Sequence, residues 1–389
     1  MHLEPGLGLA KKHEILALFE CPYKLFHAPR DALRARVPTP LADQFASPPH
    51  PDIRTQIEHA LQWANGDQHH ILTFDHPHYP ALLKEMSDAP LVLFAHGDLA
   101  RLQRDAIAIV GARNATADGR ENAKAFATFL SNQGLCIVSG LAYGIDAAAH
   151  LGALTDQAQA GGTIAVLGTG IDHIYPASHA NLVSDILAQN GLLLSELPLG
   201  APPLPAHFPR RNRIVAGLSR GVLVVEAALR SGSLITARLA NEMGREVFAI
   251  PGSIRSPLSR GPHALIQQGA KLVETGQDIL SEIGGLRSVN SCNAAKNTVR
   301  ELAFTVSANT FSKPSPKPSF LASPAAQPSA LPPPPTSPLW EAIGYDRVTP
   351  DALMMRVNML PGAMQTELLL LELDGHIVTH SDGTIQRAR

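Results

Sequence analysis

Ala106-Ile107-Ala108-Ile109-Val110-Gly111-Ala112-Arg113-Asn114-Ala115-Thr116 decides the fold. Five apolar residues run without polar interruption into a glycine turn, the pattern of a strand buried on both faces. Working outward, the same signature returns at 135–138, 163–167, 191–194, 221–225, 246–250 and 271–273, with helical stretches between. Continuous apolar strands alternating with helices imply a mostly parallel sheet covered on both faces, a Rossmann-like α/β domain. In such sheets ligands bind beyond the carboxyl ends of the strands.

Those ends carry a recurring chemistry. Gly111 to Thr116 follows the first run, Ser139-Gly140-Leu141-Ala142-Tyr143-Gly144-Ile145-Asp146 the second, Gly168-Thr169-Gly170 the third, and Glu226 to Ser231-Gly232-Ser233-Leu234-Ile235-Thr236 the fifth. Glycines let backbone N–H groups approach a phosphate, and a helix starting near Ser233 points its positive end at the same rim. Taken singly, Gly and Ser also serve tight turns and helix N-caps. The arginines are what a capping role does not require. The first turn lacks G-x-G-x-x-G and the chain lacks G-K-[ST], so neither a nicotinamide cofactor nor a nucleoside triphosphate cradle is expected.

Phe208-Pro209-Arg210-Arg211-Asn212-Arg213 packs three guanidinium groups and a ring into six residues. Guanidinium forks grip phosphate oxygens and an aromatic face stacks on a base, a pairing suited to a single strand of nucleic acid. The alternative is a solvated basic helix start, which the helix dipole disfavours. Asp146 and His150, four apart, can share a helix face, but no activated nucleophile accompanies them, so His150 is read as packing. Glu226 at a strand end is read as an anchor that positions arginines.

Composition bounds the rest. The chain has 389 residues, 45% of them hydrophobic, and a formal net charge of -2. Polyanion binding must therefore come from a local patch. Cys21, Cys136 and Cys292 lie far apart, without metal-ligand spacing, which fits a reducing, cytoplasmic setting; no leader or membrane-spanning run is read, and no membrane partner is expected. Four segments are expected: a small helical unit over 1–65, with a Pro5-Gly6-Leu7-Gly8 turn of helix-hairpin-helix type; the Rossmann-like unit over 66–287; a Pro/Ser/Ala-rich disordered tether over 288–337; and a compact unit over 338–389.

The motifs Asp75-His76-Pro77-His78-Tyr79-Pro80, Ile109-Val110-Gly111-Ala112-Arg113, Ser139-Gly140-Leu141-Ala142, Gly144-Ile145-Asp146, Phe208 to Arg213, Ser231 to Ala237 and Gly244 to Gly252 resemble, in this order, the DNA-processing protein A family (DprA or Smf). The resemblance implies a protein that binds single-stranded DNA, forms a homodimer and loads a RecA-type recombinase in natural transformation, with a single-strand-binding protein as a further partner. It implies no enzyme activity, cofactor or metal. With the strand-end reading it gives a candidate DNA-binding set: Arg113, Gly140, Tyr143, Gly144, Phe208, Arg210, Arg211, Asn212, Arg213, Ser231, Gly232, Ser233 and Thr236. Tyr143 stands where the family commonly has Arg or Lys, and Asp118 where it commonly has Tyr, so DNA affinity is expected below the family norm. The segment from Leu339 resembles the family's winged helix, with a helix after Thr349-Pro350-Asp351, another from Pro361 through Leu371, and a wing turning at Ser381-Asp382-Gly383. Its second helix has two acids and no base, which favours a protein-contact or intramolecular role. An alternative of the enzyme class is a phosphoribohydrolase-like protein, whose Pro-Gly-Gly-x-Gly-Thr motif is broken after Pro251-Gly252.

Overall fold

The computed structural model describes residues 2–3, 7–19, 21–155, 159–284, 337–344, 347–357, 359, 364, 367–368, 371–372, 376–380 and 384–387. The Pro5-Gly6 turn, the tether apart from Ser337, Cys292, Pro361 and the Ser381 to Gly383 turn fall outside these residues.

Short helices open the chain: α1 (Leu9–Phe19), α2 (Pro22–Phe26), α3 (Arg30–Arg34), α4 (Thr39–Ala46) and α5 (Pro51–Trp63). Ile15, Phe19, Leu25, Leu33, Ala42 and Phe45 bury one another in a core of their own. Proline at the first or second position starts α2, α4 and α5, where its missing N–H costs nothing.

A sheet follows, built from β1 (His69–Thr73), β2 (Val92–Gly97), β3 (Ala106–Val110), β4 (Cys136–Ser139), β5 (Thr163–Val166), β6 (Leu192–Ser195), β7 (Gly221–Val224), β8 (Glu246–Ala249) and β9 (Lys271–Leu272). Among the described residues its order is β1-β2-β6-β5-β4-β3-β7-β8-β9. From β6 to β9 every pairing is parallel, as the apolar runs require. The pairs β1–β2 and β2–β6 are antiparallel, an extension that the sequence reading does not contain.

The connecting helices are α6 (Ala81–Lys84), α7 (Ala117–Asn132), α8 (Ile145–Ala153), α9 (Ala180–Ala188), α10 (His207–Gly217), α11 (Gly232–Glu242), α12 (Arg260–Gln267) and α13 (Gly276–Glu282). Separate apolar clusters fill the two faces: Ile107, Ile109 and Leu223 pack under α7 and α8, while Ala108, Val110 and Val224 pack under α10 and α11. Alternation along β3 thus feeds both layers. The chain proceeds from β3 outward to β6, then returns to the other side of β3 with β7, so the topological switch lies between β3 and β7.

The final segment holds α14 (Pro338–Ala342), α15 (Pro350–Arg356) and the hairpin β10 (Ile377–Thr379) with β11 (Ile385–Arg387). Thr349 caps α15 by accepting from the Ala352 N–H at 3.3 Å, as its position before Pro350 predicts. Met364 and Leu371 bury their side chains in this core and Leu368 packs against it, which is helical spacing. Among the described residues no helix is long and apolar enough to cross a membrane.

Candidate nucleic-acid interface

At the switch point the strand-end turns surround a cavity of about 460 Å3. Gly111 and Arg113 come from the β3–α7 turn, Ala142 and Asp146 from the turn after β4, Tyr175 from the loop after β5, and Phe208, Arg211 and Asn212 from α10. Ser231, Gly232, Ser233 and Thr236 close it with the first turn of α11. Of the expected residues, Arg113, Phe208, Arg211, Asn212, Ser231, Gly232, Ser233 and Thr236 therefore meet in one place.

Arg113 is exposed, and its guanidinium lies 5.8 Å from the centroid of the Phe208 ring. No carboxylate pairs with it among the described residues. The Phe208 ring, half-buried against Gly168, also approaches Tyr175, ring centroids 5.5 Å apart and tilted by 43°. Cation and two rings thus cluster in the lining of the cavity. Tyr175 was missed in the sequence; its signal is an aromatic residue before proline in the loop after an apolar strand. The start of α11 adds its positive end. There Ser231 accepts from the Ser233 N–H at 3.3 Å, and a Cβ built on Gly232 would meet open space.

Arg211 behaves differently from Arg113. It is only 7% exposed, and its Nη1 donates to the carbonyls of Gly140 and Val166 at 2.5 Å each. Burial pushes its pKa down to about 10, Asp146 opposing and Arg113 reinforcing the shift. Asp146 accepts from the Gly140 and Ala142 amides at 3.1 and 3.3 Å. Burial raises its carboxyl above the ordinary aspartate range, against the pull of Arg211 and those two amides. Arg211 therefore ties the ends of β4 and β5 together at the cavity floor. A Cβ on Gly140 would lie 2.5 Å from the Arg211 guanidinium, so glycine there makes room for the arginine.

Besides Gly140, which packs on Arg211 and does not line the cavity, four expected DNA contacts stand elsewhere. Arg213 is 6% exposed and binds Glu196 at 2.5 Å and the Asp88 carbonyl at 2.8 Å, away from the cavity. Arg210 reaches the same Glu196 at 3.4 Å and lines a separate cavity beside Lys12. Helical geometry is the reason: Arg210 and Arg213, three apart on α10, share the face that meets Glu196, whereas Arg211 is turned about 100° from Arg210 and faces the cavity. Tyr143 is exposed but turned to Ser178, its hydroxyl 2.9 Å from Ser178 Oγ, with its ring edge-on to His179. Gly144 has φ +74° and lies so close to the β3–α7 turn that a Cβ would meet the Ala112 and Arg113 carbonyls at 2.3 and 2.4 Å. It is a packing glycine.

Glu226 anchors a turn rather than the arginines: it accepts from Thr116 N–H at 2.9 Å and Thr116 Oγ1–H at 2.6 Å, while Thr116 Oγ1 caps α7 by accepting from Gly119 N–H. This fixes the loop that carries Arg113. His150 is buried, as expected of a packing histidine, with Nδ1 2.7 Å from Thr163 Oγ1. Because Thr163 gives its own proton to the Ile137 carbonyl, Nδ1 is the donor and Nε2 is left as an unpartnered acceptor.

The family model described as DNA recombination-mediator protein A matches residues 70–284, just over half of the chain. The chain belongs to this family. The DprA winged helix domain model matches residues 323–383. Escherichia coli protein Smf is 48% identical over 242 residues, 62% of this chain and 63% of that protein, so the match spans just under two thirds of that relative. The DNA processing protein DprA of Streptococcus pneumoniae is 52% identical over 204 residues, 52% of this chain and 71% of that protein. An X-ray structure of the Streptococcus pneumoniae protein superposes with a TM-score of 0.54 at 37% identity, covering 71% of this chain and 98% of that one. A Helicobacter pylori DNA processing protein A structure, whose description concerns its single-stranded DNA binding mode, superposes with a TM-score of 0.50 at 31% identity, covering 56% and 95%.

Proposed function

We propose that this member of the recombination-mediator family binds single-stranded DNA at the β3/β7 switch point. One observation carries the reading: an exposed Arg113, with no carboxylate partner among the described residues, lies beside the Phe208 and Tyr175 rings in a cavity that the N-terminal turn of α11 also lines. Such a cavity takes one phosphate and one base at a time, and a duplex does not present unstacked bases to it. The Helicobacter pylori relative, described as binding single-stranded DNA, supports the same ligand class.

In this reading the protein is a cytosolic binding protein and not an enzyme. It acts as a homodimer in natural transformation, shields incoming strands and loads a RecA-type recombinase, with a single-strand-binding protein as a further partner. The family's description as a recombination mediator supports the recombinase step. The test is a mobility shift with single-stranded oligonucleotide, duplex and mononucleotide in parallel. Retention of the single strand alone is expected. Preference for mononucleotide, or its hydrolysis, overturns the proposal in favour of a phosphoribohydrolase-like activity.

A further inference from the structure

We infer that the first two turns of α7 are a docking surface for the chain's own winged-helix segment, latched by Arg356. Arg356 ends α15 and sends Nη1 to Asp118 Oδ1 at 2.5 Å and Nη2 to Glu121 Oε2 at 3.5 Å. The two acids sit three apart on α7, which places them on one helix face. Contact withdraws the central pair from water: the Arg356 side chain is 25% exposed and that of Asp118 32%. A second element joins it, since α14 also packs on α7.

Charge makes this contact selective. Residues 338–389 hold seven carboxylates and four arginines, so the segment is acidic overall. The first two turns of α7 carry Asp118 and Glu121 against Arg120 and Lys124, so the helix start offers an acidic segment no net charge to follow, and the register is set by the guanidinium that meets the two carboxylates. Asp118 also lies in the first turn of α7, where a carboxylate is favoured by the helix dipole, so the position serves the helix and the dock together.

The dock lies beside the proposed DNA site in the chain. Arg113 belongs to the turn whose last residue, Thr116, caps α7. Holding an acidic segment on that helix raises the electrostatic cost of bringing phosphates to Arg113, so docking and strand binding oppose each other. This last consequence rests on the single-strand reading; the dock itself does not.

Hydrogen exchange of the full chain, read across the interface, tests the inference. Arg356→Gln should speed exchange in the first turns of α7, and Asp118→Asn should speed it in α14 and α15, each about two- to fivefold, the scale of a partly exposed ion pair. The double variant should equal either single one. Asp118→Asn acting only on α7, or additive effects in the double variant, would show that Asp118 merely caps its helix and would overturn the dock. Single-strand affinity of Arg356→Gln should rise by a similar factor. Unchanged affinity with faster exchange overturns the antagonism, whereas absence of single-strand binding in every variant refutes the DNA reading and leaves the exchange result standing.

Discussion

Arg211→Ala should unfold the site rather than empty it. The guanidinium is buried and bonded to the carbonyls at the ends of two adjacent strands, so its removal leaves two buried acceptors without their donor. Each such orphan costs about 1–3 kcal/mol. Asp146, already pushed toward its neutral form by burial, loses its nearest cation as well. Breaking one side of a buried charged contact costs about 3–5 kcal/mol, and we expect a loss in that range. Arg113→Ala, at an exposed residue with no carboxylate partner, should change stability by no more than about 0.5 kcal/mol. Chemical denaturation of both variants, followed by far-UV circular dichroism, separates the two roles. An Arg211→Ala protein that unfolds at the wild-type denaturant concentration while losing only DNA affinity would refute the assignment of Arg211 to the cavity floor.

Further expectations concern the same neighbourhood. Phe208→Ala should weaken single-strand binding by about 1–3 kcal/mol through lost stacking, with the salt dependence nearly unchanged, as fluorescence anisotropy at several salt concentrations would show. Gly140→Ala should destabilise by about 1–3 kcal/mol, since its methyl group meets the Arg211 guanidinium; a wild-type melting temperature would contradict this. Burial, with His179 and Arg211 nearby, holds His150 down at about 3 from an ordinary 6.5. The unfolded chain then takes up the proton first, so the contribution of this group is present above pH 6.5 and is lost toward pH 3, by about 1.4 kcal/mol per pH unit. His150→Leu should flatten that slope in denaturation curves recorded between pH 7.5 and 5.

The parallel part of the sheet was legible because strands buried on both faces must be apolar throughout, and each expected run matches a strand within one residue at either end. The antiparallel extension was not. His69-His70-Ile71-Leu72-Thr73 carries two histidines and pairs only on one side, with β2, so no continuous apolar run marks it. At the site, glycine turns and Arg113 were readable from their place after β3. Arg210, Arg211 and Arg213 were not separable in sequence, because what distinguishes them is distant: Asp88 lies 125 residues from Arg213, and the Gly140 carbonyl 71 residues from Arg211. Glu226 acts on the Arg113 loop through Thr116, a link that was not readable for the same reason, the two residues lying 110 apart.

The central claim is that Arg113, on the Phe208 ring, is the cation that meets the strand. Anisotropy of a labelled single-stranded oligonucleotide, titrated with wild-type protein and with Arg113→Ala across a range of salt concentrations, addresses it most directly. We predict a loss of about 1.5–3 kcal/mol for the variant and a log K against log salt slope shallower by about 0.7, the signature of one lost phosphate contact on a single strand. Equal affinity and equal slope for the two proteins would contradict the account.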